Sequence, residues 1–351
     1  MDRRKFFGVG FSTAVCASPI ARALSKSLEP AVNASGFAPM ALGLLIAPAR
    51  GAAETPISRV KELGLSTCFL SLDDYVGEFT TKLAEDLQGL LHKYEVTPTA
   101  AEVVGPGKLV WDFIEGPSTI GIVPRATRAA RMNALKQTSD FVKMLGIPNI
   151  QTHCGFIPEN PSEPLYQEAV VAIRELTDYC AGNGQFFLME TGQETPTTMS
   201  RMIKDVGRPT LGVGLDTANL ILYGKANPVD AVDILGPHIR SVHAKDGKWP
   251  TDPDQLGQEV VIGKGLVDFK QVFTKLQWLG YSGAISIERE ILGPQQIEDV
   301  RKEKSIWSAY WGRFRTVRLK EEYESQEFFW NYSGRVKFND IGTKERLWIW
   351  C

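Results

Sequence analysis

Glu190 in "FFLMETGQE", Asp216 in "LGVGLDTANL", His243 in "IRSVHAKD" and Glu288 in "AISIERE" each close a short apolar run and precede a turn or a helix-like segment. Three carboxylates and one imidazole make a hard, mostly oxygen donor set of the kind that suits a divalent cation such as Mn2+ or Mg2+. Taken singly, each has an ordinary explanation. Glu190 suits a salt bridge or a helix cap, Asp216 a cap on the segment that begins "TAN", His243 a hydrogen-bonded core histidine, and Glu288 a partner for Arg289. Their common placement outweighs those explanations. In a barrel of alternating strands and helices, strand ends of this kind gather on one face. The chain reads as a metal-dependent enzyme.

The elements that must position these residues follow from the apolar pattern. Eight short, nearly continuous apolar runs predict strands over 40–47, 66–72, 97–104, 149–155, 185–191, 211–217, 239–245 and 283–289. Runs of that kind suit strands buried on both faces. Helix-permissive segments alternate with them at 57–64, 79–94, 127–146, 165–184, 196–206, 227–236 and 268–280. Val170, Ile173 and Leu176 have helical spacing, "GNG" over 182–184 is a helix stop, and Pro228 suits a first turn. Eight such alternations predict a closed (β/α)8 TIM barrel in the α/β class, occupying 38–304. No GxGxxG follows the first run, which argues against a dinucleotide-binding sheet.

The two ends differ from this body. The chain opens "MDRRKFFGVGFSTAVCASPIARALS". A twin arginine, a weakly apolar stretch and a small-residue site near Ala23 predict an export signal over 1–27, with the twin-arginine machinery as a partner and a periplasmic or otherwise exported location. The apolar stretch is too short and too glycine-rich for a stable membrane span, which takes about 20 apolar residues. Residues 305–351 form an aromatic-rich, basic tail of irregular period. The net charge of −2 in 351 residues leaves no electrostatic footprint for nucleic acid. The cysteines lack CxxC spacing, and Cys68 and Cys154 fall in apolar runs that predict buried thiols.

The motifs "METGQET" (189–195), "GLDTANL" (214–220), "VHAKD" (242–246) and "SIERE" (286–290), in this order, resemble those of the sugar phosphate isomerase/epimerase family, the xylose isomerase-like TIM barrels. The resemblance covers about Ala38 to Lys304. It implies that Glu190, Asp216, His243 and Glu288 hold one divalent metal ion, Mn2+ or Mg2+ ahead of Co2+ or Zn2+. It further implies that Glu190 and Glu288 double as catalytic acid and base. The chemistry is coherent on its own terms, because removing a proton beside a carbonyl needs a polarised carbonyl and a carboxylate on each face of the sugar.

Position adds His153, Asn219, Lys245, Glu194 and Glu102 as substrate-binding candidates, and Trp111 and Phe156 as aromatic walls in βα loops. Lys245 and Lys248 flank Asp246, which suits an ion pair with one of them. Asn219 stands where some epimerases of the family carry a second histidine, a departure that bears on ketose 3-epimerisation and leaves the metal site intact. Only His92, His153, His238 and His243 are present, too few for the three-metal site of endonuclease IV.

The expected activity is isomerisation or epimerisation of a non-phosphorylated sugar, keto-sugar or inositol derivative. A lyase or dehydratase on the same site, such as one acting on a keto-inositol or a keto-glycoside, is the first alternative. A non-catalytic sugar- or partner-binding barrel is the second. By resemblance alone, a homo-oligomer is also expected.

Overall fold

The computed structural model describes residues 40–316 apart from Leu292, with the backbone alone from 308 onward. The expected export signal lies outside these residues, as does the tail beyond Thr316. Eight parallel strands close a barrel: β1 (Leu42–Ile46), β2 (Thr67–Ser71), β3 (Thr97–Glu102), β4 (Asn149–Thr152), β5 (Phe186–Glu190), β6 (Leu211–Asp216), β7 (Ile239–Ala244) and β8 (Ile285–Ile287). Each pairs with its neighbours in sequence, and β8 returns to pair with β1. All eight lie where the apolar runs predict them.

The outer helices are α1 (Glu54–Glu62), α2 (Thr81–Lys93), α3 (Arg125–Met144), α4 (Pro164–Gly182), α5 (Pro196–Val206), α6 (Pro228–Leu235), α7 (Phe269–Trp278) and α8 (Pro294–Thr316). Local chemistry sets several of their ends. The Thr195 side chain accepts from the Thr198 amide with Pro196 in the first turn, and Asn227 does the same for Val229 ahead of Pro228. Helix α5 stops at Gly207, whose φ of 63° suits glycine. Val170, Ile173 and Leu176 are buried on one face of α4, as their spacing requires. Helix α8 runs through residue 304 without a break and lays Trp307 edge-on against Phe273, with centroids 4.1 Å apart. No helix among the described residues is long and apolar enough to cross a membrane.

Register delivers the site. Asp216 pairs with His243, so these two donors stand level, and Glu190 pairs with Gly214, two residues before Asp216. His243 in turn pairs with Ser286, two residues before Glu288. Gly214 has a packing reason for lacking a side chain, since a Cβ there would sit 2.0 Å from Gln151 Oε1 inside the barrel. Cys68, Cys154 and Cys180 are buried free thiols.

Candidate metal centre

Four consecutive strands carry the four expected donors to one place. One ligand atom from each of Glu190, Asp216, His243 and Glu288 lies within 4.8 Å of the others, and all four residues are buried. Threonines tie the strand ends together. Thr191 Oγ1 donates to the Asp216 carbonyl at 3.0 Å and accepts from the Asp216 amide at 2.9 Å. Thr217 Oγ1 donates to the Lys245 carbonyl at 2.6 Å. Asp216 does cap the following turn, since its Oδ1 accepts from the Ala218 and Asn219 amides, both at 2.7 Å. Its Oδ2 remains without a hydrogen bond.

The same holds around the centre. Glu190 Oε2, Glu288 Oε2 and both His243 ring nitrogens are buried with no aligned hydrogen-bond partner. His243 Nδ1 lies 2.8 Å from Glu288 Oε2 and 3.3 Å from Glu190 Oε1, close but not in hydrogen-bonding alignment. Buried polar atoms are normally paired, and buried charge left uncompensated is costly. A cation shared by these atoms satisfies them together. The donor set, one imidazole and three carboxylates, suits a divalent ion of the Mn2+ or Mg2+ type.

The surrounding charge agrees. Burial pushes the Asp216 carboxyl well above its usual range, although the Lys245 ammonium opposes it. Burial and then the charge of Glu190 do the same to Glu102, which places Glu102 within electrostatic reach of the centre. Burial works against Glu288 too, but Lys245 and His243 outweigh it and hold that carboxyl well below the usual range. Glu190 is lowered despite burial by His153 and His243. Carboxylates outnumber the fixed positive charge here, so a cation is electrostatically welcome.

The other expected residues divide. Lys245 is fully buried, with Nζ 3.1 Å from Glu288 Oε1, 3.0 Å from Glu290 Oε1 and 3.4 Å from Asn219 Oδ1. Asn219 Nδ2 donates to Glu190 Oε1 at 3.4 Å. His153 Nε2 lies 3.3 Å from Glu190 Oε2. These three join the centre. Glu194 is buried, but its Oε1 has no partner and burial pushes its carboxyl up to about 8, with Glu190 only at electrostatic range. Glu288 does not pair with Arg289, which binds Glu259 and Asp299 instead.

Asp246 departs from the expectation of a lysine partner. Its carboxylate accepts from the amides of Gly247, Gly263, Gly265 and Val267, while Lys248 is exposed. A row of glycine-rich loop amides attracts any anion, and the nearest one is built in. The "GKG" at 263–265 therefore has its amides taken, those of Gly263 and Gly265 by Asp246 and that of Lys264 by the Val261 carbonyl, with none left to cradle a phosphate.

Three residues escaped the sequence reading. The Gln193 amide stands between His153 Nδ1 and Tyr223 Oη, 3.0 Å from each, and so orients the imidazole. Glu290 supplies the second carboxylate on Lys245. The available signals were helical spacing, with Tyr223 four residues after Asn219, and the doubled acid in "ERE".

Residues 57–308 match the family described as xylose isomerase-like TIM barrel. The uncharacterized protein MJ1311 of Methanocaldococcus jannaschii is 33% identical over 119 residues, 33% of this chain and 36% of that protein. The match thus spans about a third of that relative's length. The crystal structure of a xylose isomerase domain protein from Planctomyces limnophilus is similar with a TM-score of 0.72 at 29% identity, covering 79% of this chain and 99% of that one. A D-psicose 3-epimerase crystallised in the presence of D-fructose shares the fold with a TM-score of 0.58 at 17% identity, covering 76% and 98% of the two chains.

Proposed function

The chain belongs to the xylose isomerase-like TIM barrel family, and from that premise we propose that it is a divalent-metal-dependent isomerase or epimerase. Its substrate is a non-phosphorylated sugar, keto-sugar or inositol derivative. The observation that carries this reading is the convergence of Glu190, Asp216, His243 and Glu288 with their unspent, buried donor atoms. The epimerase likeness is one of fold and adds only consistency.

A cation held by these four residues would supply polarisation of a substrate carbonyl. The chain's own groups do the rest. Glu190 and Glu288 reach the centre from β5 and β8, so a ring lying between them offers a face to each. One carboxylate takes the proton from the carbon beside the carbonyl. The other returns a proton to the opposite face, which inverts that carbon, or the first returns it to the neighbouring carbon, which isomerises the substrate. Lys245 holds the charge of Glu288, and His153, oriented by Gln193, faces Glu190. Asn219 hydrogen-bonds but does not carry a proton at this acidity. Asp246, by occupying the loop amides, supports a substrate without a phosphate. The twin-arginine pattern over 1–27 supports work outside the cytoplasm.

A second reading, elimination of water or of an aglycone, is favoured by the Lys245 ammonium, a fixed positive charge held between Glu288 and Glu290 of the kind that stabilises a leaving oxygen's charge. One experiment separates the two. Free ketoses, inososes and keto-glycosides are incubated with the metal-loaded enzyme in D2O. Deuterium uptake without change of skeleton supports the isomerase, and loss of water or aglycone supports the lyase. Absence of uptake and of product across the panel, with Glu190→Gln and Glu288→Gln no different from the parent, would sink both.

A further inference from the structure

The Lys245 ammonium, fully buried, has four oxygens around it. Glu290 Oε1 lies at 3.0 Å, Glu288 Oε1 at 3.1 Å, Asn219 Oδ1 at 3.4 Å and Asp216 Oδ2 at 3.7 Å. Three carboxylates and one amide carbonyl form an all-oxygen shell, which is the donor chemistry of a hard divalent cation. Two of the carboxylates, those of Asp216 and Glu288, also belong to the four-donor centre. Glu288 turns Oε1 to the ammonium and Oε2 to His243 Nδ1, 2.8 Å away. Asp216 Oδ2, buried and without a hydrogen bond, faces the same ammonium. A carboxylate shared between two cations holds them side by side, as in two-metal sites, where the ions stand about 3.5–4 Å apart.

This shell is held in shape by groups other than the lysine side chain. The Ala218 and Asn219 amides anchor Asp216. The Glu288 amide donates to the Ala244 carbonyl at 3.1 Å, and the Glu290 amide donates to the Glu259 carboxylate at 3.2 Å. Arg289, between them, is tied to Glu259 and Asp299. The backbone of Lys245 itself is fixed by Thr217 Oγ1, which accepts from its amide at 3.2 Å and donates to its carbonyl at 2.6 Å. Asn219 turns Nδ2 to Glu190 Oε1 and Oδ1 to the ammonium, so its dipole lies between a negative and a positive group. The Glu290 side chain is 59% exposed, which leaves the shell open to solvent on that side. Without the ammonium these carboxylates face one another with nothing to balance them, and uncompensated buried charge is costly.

We propose that the Lys245 ammonium is a tethered second cation: it fills an oxygen site that would otherwise take a second divalent ion beside the first, and so holds the centre to one metal. The inference rests on the metal reading above and deepens it. An ammonium neutralises charge and donates hydrogen bonds, but it has no open coordination position. The centre therefore lacks the paired ions that clamp the attacking and leaving oxygens of a displacement at phosphorus. Its substrate class is one that needs a single polarised carbonyl, as opposed to a phosphate ester.

The test is calorimetric titration of the metal-free full chain with Mn2+, with electron paramagnetic resonance of the loaded protein. The parent binds about one ion per chain, and a large excess of Mn2+ adds no second. Lys245→Ala binds about two, and its spectrum shows the broadening of a spin-coupled pair. Lys245→Met keeps the packed stem, ends short of the Nζ position and gives the same result, so a collapse of the alanine variant does not end the test. Lys245→Arg keeps the charge and stays at about one ion. Glu290→Gln placed on Lys245→Ala weakens the second ion at least about tenfold and leaves the first, because Glu290 lies outside the four donors. A second ion in the parent or in Lys245→Arg, about one ion in both Lys245→Ala and Lys245→Met, or a second ion indifferent to Glu290→Gln would each overturn the proposal and leave the metal reading standing. A parent that binds no ion would remove both.

Discussion

At the scale of residues, the centre separates groups that hold a cation from groups that tune a base. Asp216 and His243 belong to the first kind, while His153 touches Glu190 without joining the four donors. His153→Ala is therefore expected to keep its metal and lose roughly 10–100-fold in turnover, as removal of an orienting partner does. Asp216→Asn is expected to lose the metal itself. Metal content measured beside turnover in both variants checks this, and equal metal loss in the two would contradict the division. The donors were legible in the sequence because each is a charged residue closing an apolar run. Gln193 and Tyr223 were not, because a neutral polar residue in a turn and a tyrosine after an apolar stretch have no such contrast. Asp246 was misassigned for a similar reason. Its neighbours in sequence are lysines, but its neighbours in space are backbone amides.

At the scale of elements, two buried carboxylates fix how pieces of the barrel sit, and each gives a stability prediction. Asp246 satisfies four amides of the β7–α7 loop. Asp246→Ala leaves them unpaired and is expected to cost about 2–4 kcal/mol, read as a lowered denaturation midpoint. On α8, Glu303 accepts from the Ile262 amide at 3.1 Å, and burial pushes its carboxyl up to about 7 from 4.5. Between those values the unfolded chain is ionised while the folded chain holds the proton, so folding stability falls as pH rises through the window. The loss is on the order of 3 kcal/mol. Glu303→Gln keeps the acceptor and removes the ionisation. The parent should lose thermal stability from pH 4.5 to 7 relative to this variant, and parallel profiles would contradict the assignment. The existence of these elements was plain from period alone. The work done by their termini was not, because a cap or a loop filler is defined by distance across the fold.

At the scale of the molecule, the eight strands lie where the apolar runs predict them because strands buried on both faces must be short and nearly all apolar. Closure then brings β5 to β8 together and makes one site of four motifs spread over 189–290. The backbone bridge between Asp112 and Gln255 shows the limit of that reading. It joins loops from opposite sides of the barrel through backbone groups, which leave no mark in residue type. The account stands or falls on the cation. The most direct measurement is titration of metal-free protein with Mn2+, monitored by calorimetry, for the parent and for Asp216→Asn and Glu288→Gln. The account expects about one ion per chain in the parent, with affinity sharply reduced in both variants and their folds intact by circular dichroism. A parent that binds no Mn2+, Mg2+ or Co2+, or variants that bind as tightly as the parent, would contradict it.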